Sequence, residues 1–101
     1  MKRIERPDPA ATRRVAIQIG GMVQGIGFRW SARREAQVLG VGGFVRNEVD
    51  GSVYAEAEGV PAALQAFIAW CGQGPQGARV SNVTIQELAL TGEQEFGIRV
   101  D

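Results

Sequence analysis

Gly25 and Gly27 flank a single isoleucine, and Arg29 follows two residues later, within GMVQGIGFRW at residues 21–30. Glycines this close to an arginine have few chemical uses. A dinucleotide fingerprint needs a third glycine, but Trp30 occupies that position and no acidic residue stands where a ribose ligand belongs. A nucleoside-triphosphate loop needs Gly-Lys followed by Ser or Thr, which this stretch lacks. On glycine spacing alone, a structural turn and a smaller anion site remain equally open. Two features favour the anion. Backbone N–H groups at a helix start lack intrahelical partners, and the helix dipole attracts negative charge there, while glycines let the chain curl around a tetrahedral ligand. Arg29, a cation at the positive end of a helix, calls for an anionic partner, and a guanidinium matches phosphate oxygens as a two-pronged fork.

That reading requires a strand before the loop and a helix after it. Val15, Ile17 and Ile19 alternate with Ala16, Gln18 and Gly20, which predicts a strand with one apolar face ending at Gly20-Gly21. From Phe28 the interval changes: Phe28, Ala32, Ala36 and Leu39 recur at helical spacing, and Gly40 supplies a C-terminal stop. A second strand is predicted from about Gly43 to Val49, with Val45, Asn47 and Val49 on one face and a hairpin turn at Asp50-Gly51. A third, Ser52–Glu58, places Val53, Ala55 and Ala57 on one face and Tyr54, Glu56 and Glu58 on a face expected to be solvated. Pro61 suits the first turn of a second helix with an apolar stripe of Leu64, Phe67, Ile68 and Cys71. After a glycine-rich loop, Asn82–Leu88 reads as a fourth strand with Val83 and Ile85 inward, and Phe96–Val100 as a short last one.

The order β-α-β-β-α-β plus a short strand gives an α+β, ferredoxin-like fold: an antiparallel sheet with two helices on one face and water on the other. In that topology the first two strands are parallel, so the end of the second returns to the start of the first helix. Asn47 lies there, pointing to the helix-facing side. It is either a turn amide beside Asp50-Gly51 or a carboxamide aimed at whatever the loop binds.

Composition removes other chemistries. The chain has 101 residues, enough for one domain with a modest core. Eleven basic and eleven acidic residues cancel, so charge gives no pointer to nucleic acid or an acidic membrane. The absence of histidine excludes histidine-based triads, zinc sites and bases. The single cysteine, Cys71, allows no internal disulfide and reads as a structural thiol on a buried stripe. No apolar run approaches the ~20 residues of a membrane span. The start is charged, holds Pro7 and Pro9 and lacks the apolar segment of a secretory signal. Residues 1–12 are therefore expected to form a flexible tail, residues 13–101 the folded domain, and the protein to be cytoplasmic.

The stretch Gly21-Met22-Val23-Gln24-Gly25-Ile26-Gly27-Phe28-Arg29 closely resembles the signature of the acylphosphatases. Gly43-Phe44-Val45-Arg46-Asn47 with Asp50-Gly51-Ser52-Val53 is a second match, and Gly74-Pro75-Gln76-Gly77-Ala78-Arg79-Val80 with Phe96-Gly97-Ile98-Arg99 a third. The resemblance extends over about residues 13–100. It implies hydrolysis of an acyl phosphate to a carboxylate and inorganic phosphate. Arg29 matches the family's phosphate-binding arginine and Asn47 its water-orienting asparagine. Val23, Gln24, Gly25, Ile26, Gly27 and Phe28 match the backbone cradle that, with Arg29, holds the phosphate. Departures are small: Gly20 where a bulkier or polar residue is common, Met22 where a basic one often sits, and Phe44 for a frequent tryptophan. They bear on acyl-group preference and local stability rather than on the reaction.

The residue inventory suits this chemistry. The leaving carboxylate has a low pKa (~4) and departs without a general acid. Phosphoryl transfer through a loose transition state asks mainly for positioning and charge neutralisation, so neither metal nor cofactor is expected. Hydrolysis of phosphate esters fits less well, because an alkoxide leaving group needs an acid or metal that the sequence does not offer. A non-catalytic phosphate- or carbamoyl-phosphate-recognising module, of the kind found inside larger maturation proteins, is the main alternative; a chain ending just after its last strand favours a free-standing enzyme. An RNA-binding sheet is a third possibility, with Tyr54 as the one aromatic expected on the open face beside Glu56 and Glu58. A monomer is expected, with the acyl phosphate and its phosphate product as the only partners.

Overall fold

The computed structural model describes residues 11–100. Most of the tail expected over residues 1–12 thus lies outside the described residues; Ala11 and Thr12 are exposed and precede the first strand. The elements run β1 (Arg13–Met22), α1 (Phe28–Leu39), β2 (Gly42–Asn47), β3 (Val53–Gly59), α2 (Pro61–Cys71), β4 (Arg79–Leu88) and β5 (Phe96–Ile98). They form one five-stranded sheet in the order β4-β1-β3-β2-β5. β3 is antiparallel to both neighbours, so β1 and β2 run the same way, as the ferredoxin-like reading requires. β5 pairs parallel to β2, which makes that edge of the sheet mixed.

The alternation in the strands places the core. Val15, Ile17, Ile19, Val45, Val53, Ala55 and Ala57 pack with Phe28, Ala32 and Ala36 of α1 and Leu64, Phe67 and Cys71 of α2. Phe67 packs edge-on to Phe96 of β5, with ring centroids 5.5 Å apart. Burial pushes the Cys71 thiol up to about 12, consistent with a structural rather than a reactive role.

Several boundaries and faces differ from expectation. β1 continues through a bulge between Gly20 and Gly21 to Met22, pairing with Val80 and Arg79 at the start of a longer β4. At Gly21 (φ 129°) a side chain would collide with the Arg79 carbonyl oxygen. β2 stops at Asn47, not Val49: the turn closes earlier, with Glu48 N donating to Ser52 O (2.9 Å) and Gly51 N to Glu48 O (3.2 Å), and Val49 is left fully exposed. Ile85, expected inward, is 42% exposed and Val83 only half-buried, because β4 is a sheet edge that the helices cover incompletely. The last strand ends at Ile98 rather than Val100.

The expected solvated face of β3 is also corrected. Glu58 is buried beneath the segment that follows β4, where its carboxylate accepts from Thr91 N (3.0 Å), Gly92 N (2.8 Å), the Thr91 hydroxyl (3.0 Å) and the Arg14 guanidinium (2.9 Å). Arg14, itself buried, also pairs with Glu56 and Glu93. Phe44 lies on this face as well, beside Tyr54 and under Arg99, whose guanidinium carbon stands 3.6 Å from the ring centroid.

Candidate active site

The loop over residues 23–27 joins β1 to α1. Gly25 and Gly27 both adopt left-handed backbone (φ 79° and 81°), which no other residue type takes at comparable cost. Gly27 is the N-cap of α1; no side chain caps the helix and no acidic residue occupies its first turn. Its leading N–H groups thus keep the unneutralised positive end of the dipole. Phe28 is buried in the core and fixes the rotation of α1, which holds the adjacent Arg29 at the loop, half-buried. Asn47 ends β2, and because β1 and β2 are parallel that end lies beside the same loop.

Val23, Gly25, Gly27, Phe28, Arg29 and Asn47 line one cavity of about 280 Å³. The structure thereby brings together both residues expected to carry chemistry and four of the six loop positions. Gln24 and Ile26 do not form its wall. The Gln24 carboxamide is directed to the β2–β3 turn, where Nε2 donates to Glu48 O and Ser52 O at 2.8 Å each.

Three further residues complete the wall: Trp30, Ile98 and Val100. Trp30 is 66% exposed and stacks under the Arg33 guanidinium, 4.7 Å from its ring centroid. The parallel pairing of β5 sets Ile98 against Val45, which brings the end of β5 beside Asn47. The alternation of Phe96, Ile98 and Val100 was a sequence signal for a shared face, but nothing in the sequence told which strand β5 would join. With Val23 and Phe28, these residues give the cavity an apolar side opposite in character to its N–H, arginine and carboxamide groups. Among the described residues no three His, Cys, Asp or Glu side chains gather to hold a metal ion, and no helix is long and apolar enough to cross a membrane.

A family model for acylphosphatase matches residues 15–98, which include the whole of the core and every cavity-lining residue except Val100. The chain belongs to the acylphosphatase family. An acylphosphatase of Nocardioides sp. is 47% identical over 85 residues, spanning 84% of this chain and 86% of the relative. The crystal structure of the Bacillus subtilis acylphosphatase superposes with a TM-score of 0.85 at 34% identity, spanning 87% of this chain and 99% of that one. Full-length HypF, solved in a phosphate- and nucleotide-bound form, contains a similar region: TM-score 0.80 and 26% identity over 94% of this chain, but only 13% of HypF. Family membership agrees with the resemblance carried by the glycine, arginine and asparagine motifs.

Proposed function

We propose that this protein hydrolyses acyl phosphates to a carboxylate and inorganic phosphate, using a cradle of loop N–H groups and Arg29 for the phosphate and Asn47 for the attacking water. The observation that carries the reading is the convergence of Arg29 and Asn47, 18 positions apart in the sequence, on the cavity formed by Gly25 and Gly27. The phosphoryl oxygens take the N–H donors at the start of α1 and the guanidinium fork, which offset charge as it develops on them. The Asn47 carboxamide holds a water in line with the bond between phosphorus and the acyl oxygen. The water oxygen bonds to phosphorus, the phosphorus–acyl oxygen bond breaks, and the electron pair leaves on the carboxylate; the water proton goes to phosphate. The departing group is already a stable anion, so no general acid is needed.

Hydrolysis of benzoyl phosphate tests this. Wild-type turnover should persist in chelator. Arg29→Ala should abolish both turnover and competitive inhibition by inorganic phosphate. Asn47→Ala should lose about 10²-fold in kcat or more while still binding phosphate, as befits a lost positioning contact. Phosphate binding by the wild type without turnover would assign a recognition module instead, and full activity of Asn47→Ala would make that residue a turn amide.

A further inference from the structure

The Gln24 side chain links two segments that the proposed reaction must keep in register. Gln24 belongs to the loop that carries Gly25 and Gly27, yet its carboxamide leaves the cavity. Nε2 lies 2.8 Å from each of two carbonyl oxygens, those of Glu48 and Ser52. Two acceptors at hydrogen-bond distance fix the amide orientation, because only the NH2 end has hydrogens to give. The two carbonyls bracket the turn that starts one residue after Asn47, so one NH2 group commits both hydrogens to the two ends of that turn.

The turn has its own supports. Glu48 N donates to Ser52 O, and Gly51 N to Glu48 O. The Asp50 carboxylate accepts from Ser52 N (2.9 Å) and the Ser52 hydroxyl (2.6 Å), and Gln18 on β1 donates to that hydroxyl (2.7 Å). The turn therefore forms without Gln24. What Gln24 adds is a tie between this turn and the phosphate loop. We propose that Gln24 is a positioning residue that sets the distance between bound phosphate and the water held by Asn47, an inference that rests on the hydrolytic reading above. It has this effect through two backbone carbonyls rather than through contact with substrate.

Gln24→Met keeps the length of the side chain and removes both donors. Gln24→Glu presents a carboxylate to two carbonyl oxygens at neutral pH and regains one O–H donor when protonated. For both variants and wild type, kcat on benzoyl phosphate, the inhibition constant of inorganic phosphate, and the thermal midpoint are measured from pH 5 to 7.5. Gln24→Met should lower kcat by about 10-fold or more, with phosphate inhibition within about threefold of wild type and the ratio to wild-type kcat flat with pH. The corresponding ratio for Gln24→Glu should be lower at pH 7.5 and rise towards pH 5, read well below each variant's thermal midpoint so that the recovery is not a regain of folded protein. The proposal is overturned if kcat of Gln24→Met stays within twofold of wild type, if kcat and phosphate affinity fall together, or if the Gln24→Glu ratio is flat. Should the wild type show no turnover, the hydrolytic reading fails by itself, and backbone amide NMR under phosphate titration tests the tie separately. Phosphate should then shift the Glu48 and Ser52 amides in wild type and leave them unmoved in Gln24→Met; equal shifts in both overturn the tie.

Discussion

The fold holds Glu58 in its charged form, and its replacement by glutamine has a calculable consequence. Burial would by itself raise its pKa. The N–H of Thr91, the Arg14 guanidinium, the N–H of Gly92 and the Thr91 hydroxyl outweigh that and hold it at about 2, against 4.5 for a free side chain. A depression of about 2.5 corresponds to about 3 kcal/mol of stability. Because Glu58 is only 4% exposed, solvent screens these contacts little. Its pKa is lower in the folded state, so the contribution is complete above pH 4.5 and disappears as pH falls towards 2. Urea unfolding of wild type and Glu58→Gln, followed from pH 7 to pH 2, measures it. The variant should be less stable by up to about 3 kcal/mol at pH 7, with the gap closing between pH 4.5 and 2. Turnover at pH 7 should be unaffected, because Glu58 pairs with Arg14 and Gly42 at the end of the sheet away from Asn47. Parallel stability curves across that range, or a gap that widens as pH falls, would refute the assignment of charge to Glu58.

Two further outcomes follow from burial and exposure. Cys71, pushed up to about 12 in the core, should not react with a thiol reagent in native protein at pH 8 and should react at once in urea; rapid native labelling would contradict its packing. Trp30→Ala should raise KM for benzoyl phosphate about fivefold, the worth of an aromatic contact, while changing KM for acetyl phosphate less than about twofold; equal effects on both substrates would remove Trp30 from acyl-group recognition.

The periodicities of the chain dictated its element types. Alternation in Val15, Ile17 and Ile19, helical spacing from Phe28, and glycines before Arg29 each reflect constraints acting within a few residues: which face is dry, and where the backbone must turn left-handed. The loop and Arg29 were legible for that reason, and Asn47 once the topology made β1 and β2 parallel. What depends on distant partners was not legible. Alternation along β3 reads Glu58 as solvated; the fold of residues 91–93 over the sheet buries it and, with Arg14 of β1, supplies the donors that keep it charged. Ile85 alternates like a core residue, but it lies on β4, an edge strand that the helices cover incompletely. The side chain of Gln24 belongs by sequence to the loop and by hydrogen bonding to a turn 24 to 28 residues away. Ile98 and Val100 join the cavity because β5 adds in parallel to β2, where Phe96 packs against Phe67, a partner 29 residues away that no local pattern names. Local sequence fixes how each segment is shaped; which polar atoms end up facing one another is decided when the segments pack.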